Sequence, residues 1–201
     1  MRKLLVTTFM TLDGVVQAPG GPGEDDDGGF PHGGWTVPFF DEHLGEVMGE
    51  TMSRPFDLVL GRRTYDIFAA FWPTASEEEG AGPLNRAVKH VASRGRPELT
   101  WERSVLIEGD VAAGVAALKQ QDGPELQVHG SGELVHTLQQ AGLVDEWQLL
   151  VFPVVLGTGK RLFDPAAPLA LRLVSSSVSG SGVVVSRYVA TGDVVTGTFG
   201  A

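Results

Sequence analysis

Two hydrophobic periodicities take turns along this chain. Short runs rich in β-branched and aliphatic residues occur at 3–9, 57–60, 88–92, 104–107 and 125–129, each of a length and composition that predicts a strand. Amphipathic segments lie between them. Phe40, Leu44, Val47 and Met48 are spaced at helical intervals over 39–52, with Asp41 and Glu42 in the first turn, where carboxylates suit the helix dipole. A second helix is predicted over 65–70. A third covers 111–121, with Val111, Val115 and Leu118 on one face and Asp110 placed to cap its start. The fourth, 133–141, carries Leu134, Leu138 and Ala141 on one face and stops at Gly142. Strand and helix in alternation imply a largely parallel sheet.

Beyond Asp145 the helical pattern disappears. The segments 147–152, 170–178 and 183–190 read as successive strands, and Ser179-Gly180-Ser181-Gly182 between the last two is a hairpin signal. The expected fold is therefore α/β: about eight strands and four helices in three layers, mostly parallel, with a C-terminal antiparallel hairpin. One stretch resists this pattern. From Asp13 to Pro38 the chain is rich in Gly and Pro and carries Glu24-Asp25-Asp26-Asp27, so it is expected to be a lid, a binding loop or a disordered insertion, with the acidic run solvated. The segment 73–83, with Glu77-Glu78-Glu79, reads as a second solvated loop.

Composition narrows the functional classes. At 201 residues, with 42% hydrophobic and 20% charged positions, the chain suits one domain over 1–201, with a core at 3–190 and a short tail at 191–201. A net charge of -10 opposes nucleic-acid binding, which needs clustered Lys and Arg. Without cysteine there are no disulfides, thiolate nucleophiles or thiolate metal sites. No run approaches the ~18 apolar residues of a membrane span, and the beginning, Met1 to Phe9, reads as a strand rather than a signal core, so a cytoplasmic protein is expected.

Candidate chemistry lies at three strand ends. In an open α/β sheet, ligands collect at the carboxyl ends of strands, where helix N-termini present free N–H groups. Gly130-Ser131-Gly132, between a strand and a helix, would let the backbone approach a pyrophosphate. It also reads as a tight turn that needs small residues, because Val135 occupies the third glycine position of a dinucleotide fingerprint. Gly61-Arg62-Arg63-Thr64 offers two guanidinium groups and a hydroxyl, and Thr64 equally suits an N-cap. Ser93-Arg94 follows the third strand. Together the three ends suggest one dinucleotide. The histidines His32, His43, His90, His129 and His136 lack metal-ligand spacing, and no serine-hydrolase elbow or P-loop occurs.

These motifs, in this order, resemble one family. Thr11-Leu12-Asp13-Gly14, Leu60-Gly61-Arg62-Arg63-Thr64-Tyr65, Val91-Ala92-Ser93-Arg94, Val128-His129-Gly130-Ser131-Gly132, Gly142-Leu143-Val144-Asp145-Glu146 and the run from Phe152 to Phe163 are similar to the dihydrofolate-reductase-like fold. Within it they resemble the C-terminal reductase domain of the bifunctional riboflavin-biosynthesis deaminase-reductase and its stand-alone relatives. The resemblance implies NADPH as reductant. It implies Gly61, Arg62 and Thr64 near phosphates, Ser93 and Arg94 near the adenosine ribose and its 2′-phosphate, Gly130, Ser131, Gly132 and Glu133 along the pyrophosphate, and Leu156, Gly157 and Gly159 near the nicotinamide. It further implies a homodimer and puts Asp13 at the mouth of the substrate cleft. Deaminase motifs are absent, so coupled deamination is not expected.

The implied activity is hydride transfer to a pyrimidine- or pterin-like heterocycle, such as the phosphoribosylamino-uracil intermediate of riboflavin biosynthesis or the substrate of a paralogous reaction. A dihydrofolate or pterin reductase is the alternative, with Asp41 or Glu42 gripping the ring. A dinucleotide-binding protein without turnover is another. Hydride transfer needs a proton as well, so a carboxylic acid is expected at the cleft. Asp13 and Asp41 are the candidates, although Asp13-Gly14 also reads as a plain turn.

Overall fold

The first strand is buried from Leu4 to Thr8 without interruption, which requires layers on both of its faces. A computed structural model describes residues 1–77 and 79–200; Glu78 of the second acidic run and Ala201 lie outside the described residues. Among the described residues eight strands form one sheet. They are β1 (Leu4–Thr11), β2 (Phe56–Gly61), β3 (Lys89–Ala92), β4 (Ser104–Ile107), β5 (Glu125–His129), β6 (Glu146–Phe152), β7 (Ala170–Val178) and β8 (Val184–Gly192). Their order is β4-β3-β2-β5-β1-β6-β8-β7. Pairing is parallel from β4 through β6 and antiparallel for β6 with β8 and β8 with β7. The predicted fold class and C-terminal hairpin are thus observed.

Among the described residues five α-helices cover the sheet: α1 (Glu42–Thr51), α2 (Arg62–Phe71), α3 (Ala81–Arg86), α4 (Val111–Gln120) and α5 (Gly132–Gln140). Strand side chains alternate between two faces. On one face Val115, Leu134, Val135 and Leu138 of α4 and α5 pack on Leu4, Val6, Val59, Leu126, Val128 and Trp147. On the other, Leu44 of α1 packs near Leu150 and Phe152, while Tyr65 of α2 and Leu84 of α3 pack on Phe56, Leu58, Leu60 and Val91. These are the three expected layers.

Three local expectations need correction. Helix α3 lies partly within the segment expected to be a solvated loop. Six residues including Gly82 and Pro83 give no periodic signal, and the helix is held by burial of Ala81 and Leu84 and by Asn85, which donates to the Trp72 carbonyl and accepts from the Trp101 indole. Helix α2 begins at Arg62 with Gly61 as its N-cap, so Thr64 stands inside the first turn and caps nothing. The long loop is neither disordered nor uniformly solvated. Val15, Ala18, Phe30 and Trp35 are buried, and the Trp35 indole donates to the Gln17 carbonyl at 2.8 Å. Gln17 Nε2 donates to the Asp25 and Asp27 carbonyls at 3.0 Å each. Residues 12–16 are also bonded to the β6–β7 connection, through Leu12 to Val154, Val16 to Lys160 and Leu162 to Gly14.

Candidate active site

Strand order brings the chemistry together. Because β3, β2, β5 and β1 are neighbours, their carboxyl ends deliver Ser93-Arg94, Gly61 to Thr64, Gly130 to Gly132 and the long loop to one place. They surround a cleft of about 1450 Å³ whose lining includes Gly61, Arg62, Thr64, Ser93, Arg94, Gly130, Ser131, Gly132 and Glu133. That volume exceeds the several hundred Å³ of an ordinary small-molecule pocket.

At the end of β5 the chain turns through two successive left-handed residues, Gly130 (φ 61°) and Ser131 (φ 57°), before Gly132 opens α5. A left-handed serine is uncommon and is kept here by its own side chain. Its hydroxyl accepts from the Gly61 N–H at 3.0 Å and donates to the His129 carbonyl at 3.3 Å, so it stitches the ends of β2 and β5 together. The tight turn thus has its own structural cause in this side chain. Ser131 holds the turn through its hydroxyl, and the free first-turn N–H groups of α5 open on the cleft. Across from them the Arg94 side chain is 98% exposed, 3.6 Å from Glu133. Arg62 pairs with Asp66 one turn along α2, and Arg63 reaches the long loop.

The other wall is apolar: Phe9, Phe40, Met48, Met52, Phe68 and Phe71 line it. Thr7 and His129 also line the cleft, at the edge of a buried polar network. His129 Nε2 lies 3.0 Å from Gln127 Oε1, and Gln127 Nε2 donates to the Thr51 carbonyl and to Glu125. Gln148 Nε2 donates to the Thr51 and Thr7 hydroxyls. The Gln127 amide orientation makes His129 Nε2 the donor and leaves Nδ1 unprotonated. Burial pulls the His129 pKa down to about 4, so the ring is neutral at pH 7.

Neither predicted carboxylic acid lines this cleft. Asp13 accepts from the Thr11 hydroxyl at 2.6 Å and from the N–H groups of Leu156 (3.2 Å) and Gly157 (2.8 Å). The Thr11 hydrogen bond first, then the two backbone donors, lower its pKa to about 2 against the cost of burial. It is ionised at neutral pH and has no proton to give; it pins the β6–β7 connection to the end of β1. Asp41 caps α1, accepting from the Leu44 N–H at 3.1 Å, and also accepts from the Ser181 N–H at 3.0 Å. Burial pushes its carboxyl upward, but these N–H donors and the Ser181 and Ser179 hydroxyls outweigh that and hold it below the usual range. Glu42 is exposed on the outside of α1.

Leu156, Gly157 and Gly159 are also absent from the cleft lining. The first two serve Asp13. Gly159, at φ 117°, lies where a Cβ would come within 2.6 Å of Val15 and 2.8 Å of Phe30, so it is a close-packing glycine. Residues the sequence reading passed over do face the cleft: Thr7, His129, Met48, Met52 and the carboxylates Glu24, Asp25 and Asp27. The acidic run is expected from the sequence to be solvated. Asp25 is instead buried, and the Glu24 carboxylate accepts from the Gly20 and Gly21 N–H groups. Burial first, then the neighbouring Asp25 charge, raises the Glu24 pKa above its ordinary value despite those bonds.

Comparison with known proteins agrees with this architecture. Residues 2–185 match the RibD C-terminal domain. The chain is 28% identical over 192 residues to the uncharacterized protein YyaP of Bacillus subtilis (strain 168), covering 93% of this chain and 94% of the relative. It is 26% identical over 188 residues to YwjB of the same organism, covering 90% and 95%. Among solved structures, a "Putative riboflavin biosynthesis protein" from Shewanella sp. PV-4 superposes with a TM-score of 0.71 at 23% identity, over 94% of this chain and 99% of that one. A pyrimidine reductase-like protein from Corynebacterium diphtheriae gives 0.62 at 13% identity, over 96% and 93%.

Proposed function

The chain belongs to the family of RibD C-terminal domains, and from that premise we propose that it is a reductase of the riboflavin-pathway type, using NADPH to reduce a pyrimidine-like substrate. The observation that carries this reading is the convergence on one cleft of the α5 N-terminus and the Arg94 guanidinium. Free backbone N–H groups and an exposed guanidinium are the donor set that phosphates of a dinucleotide require. NADPH, when bound, supplies the hydride. The protein holds its phosphates through Gly132 and Glu133 backbone groups and Arg94, and offers a flat substrate the apolar wall from Phe9 to Phe71. A pterin substrate is less well served, because α1 and its C-cap contribute Met48 and Met52 to the cleft and no carboxylate.

Mixing the protein with NADPH and either aminopyrimidine nucleosides and nucleotides or dihydrofolate, and following nicotinamide absorbance, tests the reading. Oxidation driven by an aminopyrimidine is expected. Oxidation by dihydrofolate alone would favour the pterin alternative, and tight NADPH binding without oxidation by any heterocycle would favour a binding protein. Arg94→Ala should weaken NADPH by about tenfold or more, the value of one charge-assisted hydrogen bond, and NADH much less. Equal losses in a calorimetric titration would remove Arg94 from the 2′-phosphate.

A further inference from the structure

Cations on the long-loop side of the cleft already hold anions, and those anions belong to the protein. Arg63 lies 2.8 Å from Asp25 and 3.4 Å from Asp27, and Lys160 Nζ lies 2.8 Å from each of the same two carboxylates. All four side chains line the cleft. This is a built cluster rather than a chance surface pairing. The Asp25 side chain is only 11% exposed, and Gln17 clamps the Asp25 and Asp27 carbonyls while accepting from the Lys160 N–H at 3.1 Å. Arg62, the next cation, is engaged by both oxygens of Asp66.

A phosphate monoester carries close to two negative charges at neutral pH. To bind at Arg63 and Lys160 it would have to displace two carboxylates and then sit beside them and Glu24, a like-charge arrangement that opposes binding. The apolar wall of the cleft, Phe9, Phe40, Met48, Met52, Phe68 and Phe71, suits an uncharged ring. We propose that the segment Glu24–Asp27 is an internal occupant of the anion-binding pair Arg63 and Lys160, and that the substrate is consequently an aromatic heterocycle without a phosphate group. The second clause rests on the heterocycle-reductase reading above; the first does not.

The test is calorimetric titration with ribose phosphate as the probe. The wild-type protein should bind it weakly. Asp25→Asn together with Asp27→Asn keeps shape and frees both cations, and should tighten the probe by about tenfold or more, as expected for regaining a charge-assisted contact. Adding Arg63→Ala should abolish that gain. Asp27→Asn alone, at a position whose side chain is 55% exposed and so tolerant of change, should give a smaller gain in the same direction. No gain in either variant, or a gain that survives Arg63→Ala, would overturn the occupancy. In turnover, wild-type protein should prefer an aminopyrimidine nucleoside to its phosphate ester, and the double variant should narrow the preference. Wild-type preference for the ester would overturn the substrate class. If instead no pyrimidine is reduced by any variant, the reductase reading fails and the substrate class falls with it, while the gain in ribose phosphate binding still decides the occupancy.

Discussion

Asp13, Asp41 and His129 show how far a residue's type is from its task. Both aspartates stand where a proton donor was expected, after the first strand and at the start of α1, yet each spends its lone pairs on backbone N–H groups. Such bonds favour the ionised form and disqualify it as an acid at neutral pH. His129, which lacks metal-ligand spacing in the sequence, is a buried titratable ring at the cleft. Its folded pKa of about 4 lies below the unfolded value near 6.5, so in that interval the unfolded chain binds more protons. Stability is therefore intact above about pH 6.5 and falls as pH drops toward 4. Between pH 7 and pH 5 the loss attributable to this ring should be about 2 kcal/mol. His129→Gln, which cannot titrate but can still bond to Gln127, should show a correspondingly flatter decline in urea midpoint over that interval. Parallel declines for wild type and variant would mean that the ring is not buried neutral.

Among the elements, those with a sequence-local cause were readable and those held by distant partners were not. Helix α5 ends as expected at Gly142, whose φ of 63° lets the Leu143 N–H reach the Leu138 carbonyl and its own N–H reach Gln139, both at 3.0 Å. Nothing stands within 4 Å of a Cβ built there, so Gly142→Ala isolates the cost of the left-handed backbone. It should destabilise the protein by about 1–2 kcal/mol in denaturant titration, and an unchanged midpoint would show that the turn rearranges freely. Helix α3 is the opposite case, a helix whose reason is the pocket that receives Leu84. The long loop belongs with it: the Trp35, Gln17 and Asp25 contacts that order it span 18, 8 and 135 positions of sequence, and no composition rule anticipates them.

At the scale of the whole molecule, the sheet leaves β7 as an open edge with Leu173, Val174 and Val178 more than half or about half exposed. An unpaired apolar edge is a template for association, and a two-fold homodimer through 170–190 is the expected assembly. Light scattering at micromolar concentration should report twice the chain mass, and Leu173→Lys should shift it toward the monomer. A wild-type protein of single-chain mass would exclude this interface. No described helix is long and apolar enough to cross a membrane, and among the described residues no group of three or more His, Asp or Glu side chains is arranged to hold a metal ion.

The sequence by itself determined the α/β alternation, the C-terminal hairpin and the three strand ends that meet at the cleft, because periodicity 2 or 3.6, glycine turns and caps act over a few residues. It also carried the family, through motifs ordered along nearly the whole chain. Only the tertiary structure decided which charges are free. Whether Arg63 and Lys160 await a ligand or already hold Asp25 and Asp27 depends on groups 36 to 135 positions apart, and whether Asp13 gives a proton or accepts from the Leu156 and Gly157 N–H groups depends on groups 143 and 144 positions apart. Charge, desolvation and hydrogen bonding act through space, so the roles of these side chains appear only when the sheet order has made them neighbours.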